Sequence, residues 1–100
     1  MEQYTVGQTI LEQMGGAGKL RAMVGGTPLL MDNGLKVIFK GCRRADRVEI
    51  ALDWTDTYTM TFYKFNRKTL DCPVVKEWSM VYANQLISLF EQFTGLALRL

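Results

Sequence analysis

The sequence predicts an α+β domain: an antiparallel β-meander of four to five strands, with a short N-terminal helix and a longer C-terminal helix packed on one face. Three observations predict it. Residues 35–40, 47–52 and 58–63 alternate apolar and polar side chains with period two, the pattern of strands with one buried and one open face. Residues 80–94 carry Tyr82, Leu86, Leu89, Phe90 and Phe93 at i, i+4, i+7, i+8 and i+11, an apolar stripe wide enough to cover a sheet. Residues 6–14 place Ile10, Leu11 and Met14 on a second, shorter stripe. A chain of 100 residues, 48% apolar and 22% charged, has the size and composition of one soluble domain with a single core.

In chain order, Thr5 is the expected N-cap of the first helix, and Gly15-Gly16 is expected to end it. The run Gly15-Gly16-Ala17-Gly18-Lys19 has the look of a phosphate-binding loop but lacks its parts. Position 13 is Gln where that loop needs Gly, and position 20 is Leu where it needs Ser or Thr for magnesium. The expected order around it, helix then strand, is also the reverse of that motif. Residues 20–24 read as a short strand, Gly25-Gly26 as a bend, and residues 27–31 as a strand with Pro28 near its start.

Asp32-Asn33-Gly34 turns the chain, and two loops fit. A two-residue Asn-Gly loop sets Leu30 with Val37. A three-residue loop with Gly34 left-handed sets Met31 opposite Leu35 and Leu29 opposite Val37, and pairing apolar with apolar selects it. The same matching sets core rows Leu35/Leu52/Tyr58, Val37/Ile50/Met60 and Phe39/Val48/Phe62. It leaves residues 42–45 as one loop tip and turns the chain again through Trp54-Thr55-Asp56. Residues 70–78 are ambiguous between strand and early helix, with Pro73 discouraging helix before it. Ser79 is a plausible N-cap for the last helix, and Gly95 with Leu96 the residues that close it.

Composition excludes several chemistries. There is no histidine, which removes imidazole-based nucleophilic catalysis, imidazole metal ligation and the usual pH switch. Cys42 and Cys72 cannot supply a four-ligand zinc site without it, and they read as reduced thiols. No cofactor or metal is expected. Asp53 and Asp56 flank a turn, where bonding the local backbone is commoner than holding a cation. The six methionines and Phe90/Phe93 read as core filling. No apolar run approaches the ~18 residues needed to cross a membrane. Met1-Glu2-Gln3-Tyr4-Thr5 has no basic or apolar signal region, so the expected location is the cytoplasm.

A net charge of +2 does not by itself indicate nucleic acid; clustering has to make that case. On the open face the expected register sets Lys40 directly opposite Arg47, an unfavourable pairing that asks for a partner. Arg43 and Arg44 sit at the adjacent loop tip, and Arg67 and Lys68 return to the same end beside Tyr63. Lys40, Arg43, Arg44, Arg47, Tyr63, Arg67 and Lys68 are thus a candidate nucleic-acid surface, cations for phosphates beside an aromatic for stacking. Asp46 and Glu49 are placed to neutralise part of it. Asn84 and Gln85, on the outward side of the last helix, are candidate partner contacts.

Several segments carry a resemblance covering nearly the whole chain: residues 9–16, Ala22-Met23-Val24-Gly25, residues 35–39 and Val48-Glu49-Ile50. Asp56, Tyr58 and Phe62 belong with them, as do residues 81–86 leading to Phe90 and Thr94-Gly95-Leu96. In these the chain resembles a family of small uncharacterised proteins of bacteriophages, prophages and mobile elements. It departs from them in the loop at residues 42–46, which is shorter here. The resemblance implies origin, in the cytoplasm of an infected or lysogenic bacterium, and no particular activity. The expectation is a non-enzymatic accessory protein that acts by binding. Nucleic acid is the first candidate. A host or phage protein, or a second copy paired along a sheet edge, is the alternative.

Overall fold

The computed structural model describes residues 5–96 and contains three α-helices and one five-stranded antiparallel sheet. Helices α1 (Thr5–Gln13) and α2 (Ala17–Val24) come first. Strands β1 (Thr27–Met31), β2 (Gly34–Ile38), β3 (Arg47–Leu52), β4 (Tyr58–Tyr63) and β5 (Val74–Val81) follow in that spatial order. A 3-10 turn (Ala83–Gln85) leads into α3 (Leu86–Thr94). The α+β meander with helices on one face is therefore as expected. The expected Thr5 cap and the residues before it lie outside the described side chains.

One core lies between sheet and helices. Ile10 of α1, Met14 just after it, Leu20 and Val24 of α2 and Leu86 and Phe90 of α3 are buried against Leu35, Val37, Val48, Ile50, Met60 and Phe62. Its densest part is aromatic. Phe62 lies 4.6 Å from Phe93, 5.9 Å from Trp78 and 6.1 Å from Phe90 between ring centroids, and Phe39 lies 5.1 Å from Phe90.

Four local expectations are corrected. Residues 20–24 are helix, not strand. Ala17, Leu20, Arg21, Ala22 and Met23 are good helix formers, and Leu20 and Val24 are buried at the i, i+4 spacing of a helix face. Gly25, left-handed at φ 63°, closes α2 by donating to the Arg21 carbonyl at 3.1 Å. A helix therefore begins inside the Gly15–Lys19 run, at Ala17, although Gln13 and Leu20 still exclude a nucleotide loop.

The first hairpin turns through Asp32-Asn33 alone, pairing Met31 with Gly34, Leu30 with Leu35 and Pro28 with Val37. Gly34 is a strand residue rather than the turn's left-handed one. A Cβ on it would collide with the Ile50 carbonyl oxygen, and a Cβ on Gly7 would collide with the Gly34 oxygen. α1, β2 and β3 pack too closely there for any side chain.

The β2–β3 register is displaced by two residues from expectation. Leu35 faces Ile50 and Val37 faces Val48, so the core rows are Leu35/Ile50/Met60 and Val37/Val48/Phe62. The β3–β4 register, Leu52 opposite Tyr58 and Val48 opposite Phe62, is as expected, as is the turn through Trp54-Thr55-Asp56. Lys40 is consequently not opposite Arg47; Ile38 is, and Lys36 faces Glu49 in an ion pair at 3.6 Å. A slip of two residues keeps the same side chains on the core face, so apolar matching fixes only the parity of the register. Opposite charges across the ladder then favour the observed one.

Finally, the last helix begins later than expected. Residues 79–81 belong to β5, so Ser79 is a strand residue and not a cap. A bulge separates the Tyr58–Val81 and Met60–Trp78 pairings, with Met80 at φ 54°. The extra residue sets Trp78 and Val81 three apart on the core side, a spacing that imitates a helical stripe. Tyr82, expected to pack the sheet, is 57% exposed.

Candidate functional site

Beyond Ile38 the chain leaves the sheet for residues 40–45 and returns through a backbone bond from Phe39 N–H to the Asp46 carbonyl at 2.9 Å. Asp46 ties this loop to the end of β4. Its own N–H donates to the Tyr63 carbonyl at 2.9 Å, and its Oδ1 accepts the Phe65 N–H at 3.1 Å. Between the loop and residues 64–67 lies a groove of about 470 Å³. Lys40, Arg47, Lys64 and Arg67 line it, over Ile38, Phe39 and Phe65 and beside Asp46.

The expected cations thus gather at one end of the sheet, in a different arrangement. Lys40, Arg47 and Arg67 share the groove. Arg43 and Arg44 are exposed on the flanking loop, with the Arg44 guanidinium 5.3 Å over the Phe93 ring. Lys68 is exposed on the β4–β5 turn outside the groove, its N–H held by Asn66 Oδ1 at 2.9 Å. Lys64 belongs to the site and was missed. Alternation would send it to the covered face, but the strand ends at Tyr63 and alternation ends with it. A cation between two aromatics and just before Arg67-Lys68 was the available signal.

Neutralisation is partial. Arg47 lies 5.1 Å over the Phe65 ring, and its Nε is 3.7 Å from Asp46 Oδ1, too far for a hydrogen bond; that Nε is buried without one. Asp46 is the single carboxylate of the groove against four cations. Glu49 is engaged elsewhere, with Lys36 and with the Tyr63 hydroxyl, which donates to Glu49 Oε1 at 3.4 Å. Burial pushes the Tyr63 phenol above its usual range, and the Glu49 charge adds to this. Tyr63 is half-buried and tethered, a poorer stacking platform than the sequence suggested. Of the two arenes lining the groove, Phe39 is buried and Phe65 is the accessible one.

Asn84 and Gln85 are both exposed. Gln85 closes the 3-10 turn: its Oε1 accepts the Tyr82 N–H and its N–H donates to the Tyr82 carbonyl, both at 2.9 Å. A second cleft, about 450 Å³ within the β4–β5 turn, is lined by Asn66, Thr69, Asp71, Cys72 and Pro73, with no basic side chain among them. Cys42 and Cys72 are both free thiols. Among the described residues no cluster of three or more Cys, Asp or Glu could hold a metal ion, and no helix is long and apolar enough to cross a membrane. No protein-family model matches the chain, and comparison with curated proteins and with solved structures gave no match either.

Proposed function

We propose that this chain is a binding protein that takes the phosphate backbone of a nucleic acid along its basic groove, as an accessory protein of a phage or mobile element in the bacterial cytoplasm. The observation that supports this is the convergence of Lys40, Arg47, Lys64 and Arg67 on one groove with a single carboxylate among them. Arg43, Arg44 and Lys68 extend the positive surface on the two flanking loops. The groove is open, and its apolar floor includes Phe65, a ring on which a base of an unpaired strand can stack.

The test is a salt titration of binding to single- and double-stranded oligonucleotides. Lys40, Lys64 and Arg67 are the residues to change to Gln, because Arg44 and Arg47 also stack on Phe93 and Phe65. On a single strand each phosphate contact contributes ~0.7 to the slope of log affinity against log salt. The triple variant is expected to flatten that slope by about 2, three contacts at ~0.7 each. Absence of binding to either oligonucleotide at low salt would sink the proposal.

A second reading is contact with a host or phage protein, or a second copy, through the edge strand. β5 has one unpaired side, and Val74, Val75 and Met80 on it are 55%, 42% and 63% exposed. A chain that ignores oligonucleotides yet forms a dimer disrupted by Val75→Lys fits this reading instead.

A further inference from the structure

The two ends of the sheet carry opposite charge. At the end remote from the groove, the turns between β1 and β2 and between β3 and β4 lie side by side, joined by the Leu52 N–H to Asn33 carbonyl bond at 2.8 Å. They present Asp32, Asp53 and Asp56. Between Asp53 and Asp56 stands Trp54, 90% exposed, the most exposed of the large apolar side chains among the described residues. The turn that carries it is held by its backbone. The Trp54 backbone N–H donates to Asp53 Oδ1 at 2.7 Å, the Asp53 N–H reaches the Thr57 carbonyl at 2.7 Å, and Asp56 adopts φ 64°.

An indole flanked by carboxylates complements a groove that offers an apolar floor and four cations. The groove already stacks one arene, Phe65, against the Arg47 guanidinium. Tryptophan is the side chain that cations favour most in this geometry. At about 470 Å³ the groove has the volume of a small-ligand cleft, typically ~300–1,000 Å³, with room for one indole. The turn cannot reach its own groove, because Arg47 and Leu52 stand at opposite ends of β3, about 17 Å apart at ~3.4 Å per residue.

We propose that the Trp54 turn of one copy docks into the basic groove of the next. The contact is heterologous, head to tail, so each copy keeps a free turn and a free groove, and association continues into a ring or an open filament. This goes beyond the nucleic-acid reading and uses the same groove, so a bound polyanion and a docked turn exclude one another.

The experiment is sedimentation velocity of the full chain at rising concentration, in low and high salt. Growth past dimer in low salt, reversed by high salt, is the expected result. Trp54→Ala is expected to weaken association about thirtyfold or more, the effect of losing a central hot-spot tryptophan. Two blocked chains complete the test: Trp54→Ala with Asp56→Asn, which keeps an intact groove, and Lys64→Glu with Arg67→Glu, which keeps an intact turn. Each alone should be monomeric, and an equimolar mixture of the second with wild-type turn and the first with wild-type groove should not grow past the pairs that one intact turn and one intact groove allow. The proposal is overturned if wild type stays monomeric throughout, if it stops at dimer, if Trp54→Ala associates like wild type, or if the folded Lys64→Glu/Arg67→Glu chain, offering its intact turn, does not pair with the intact groove of the folded Trp54→Ala/Asp56→Asn chain. Oligonucleotide binding by the Trp54→Ala chain separates the two readings, since it persists if only the assembly idea fails.

Discussion

Gly34→Ala is a test of why β2 pairs with β3 as it does. Adding a methyl group to a strand glycine ordinarily stabilises by about 0.4–1 kcal/mol, because the unfolded chain loses freedom. Here the added Cβ would overlap the Ile50 carbonyl oxygen and come within 2.9 Å of the Ala51 Cα and 3.0 Å of the Ile50 carbonyl carbon. All three are backbone atoms in a paired strand and cannot rotate aside. Overpacking of this kind costs ~1–3 kcal/mol and outweighs the entropic gain. In a domain of this size each kcal/mol of net loss lowers Tm by about 4–8 °C. Gly18→Ala is the matched control. Gly18 lies inside α2, and a Cβ there would meet nothing within 4 Å, so alanine should stabilise by ~0.5–1 kcal/mol. Thermal melts and urea unfolding of both chains read the two signs directly. If Gly34→Ala is as stable as the parent, close approach does not hold the register, and the Lys36–Glu49 pairing would have to do so alone.

Three further outcomes follow from the same packing. Phe62→Ala removes a fully buried ring in contact with Phe39, Trp78, Phe90 and Phe93, and should cost about 3–5 kcal/mol by urea unfolding, much of a domain's stability. Leu70→Gly should raise the Tm, because Leu70 is 74% exposed at φ 61°, where a side chain costs ~1 kcal/mol and little packing is given up. Tyr63 is protonated more tightly in the folded chain than at the ordinary 10.0 of a free tyrosine, so its contribution is complete below that pH and is lost as pH rises through the raised value. Unfolding measured across that alkaline range should show the decline, and Tyr63→Phe should flatten it.

The elements were legible in the sequence where periodicity had one interpretation. Residues 35–38, 47–52 and 58–63 alternate cleanly, and matching their apolar faces across the turn through Trp54-Thr55-Asp56 gives the observed β3–β4 register. Elsewhere two patterns coincide. Leu20 and Val24 satisfy a helix at i, i+4 and a strand at even spacing alike, and the decisive fact, Gly25 as a left-handed helix end, is also what a bend would use. The bulge at Met80 gave a strand a helical spacing. Around Gly34 the deciding contact is with Gly7 and Ile50, residues far away in sequence, and no local pattern records it. The candidate site was legible as a set of cations at one end. Its arrangement was not, because it depends on a register that apolar matching determines only to the nearest two residues.

That displacement changes what the charges do. In the expected register Lys40 and Arg47 repel across a ladder, and binding would relieve strain in the sheet. In the observed one the sheet satisfies itself: Lys36 pairs with Glu49, and the Thr61 hydroxyl donates to Glu77 Oε2 at 3.1 Å. Lys40 is released into the loop, where with Arg47 it lines the groove instead of crowding the ladder. Arg43, Arg44, Lys64, Arg67 and Lys68 then lie on loops at the same end, while Asp32, Asp53 and Asp56 lie on turns at the other. A net charge of +2 conceals this separation. The field it creates runs along the strands and would draw a polyanion, as proposed above, to the groove end in an oriented way, which a uniformly spread +2 would not. Exchanging Asp32, Asp53 and Asp56 for Asn should therefore raise nonspecific association with polyanions while slowing self-association. The basic groove itself is unchanged by that substitution, so opposite movements of the two rates would trace both to one separated charge distribution.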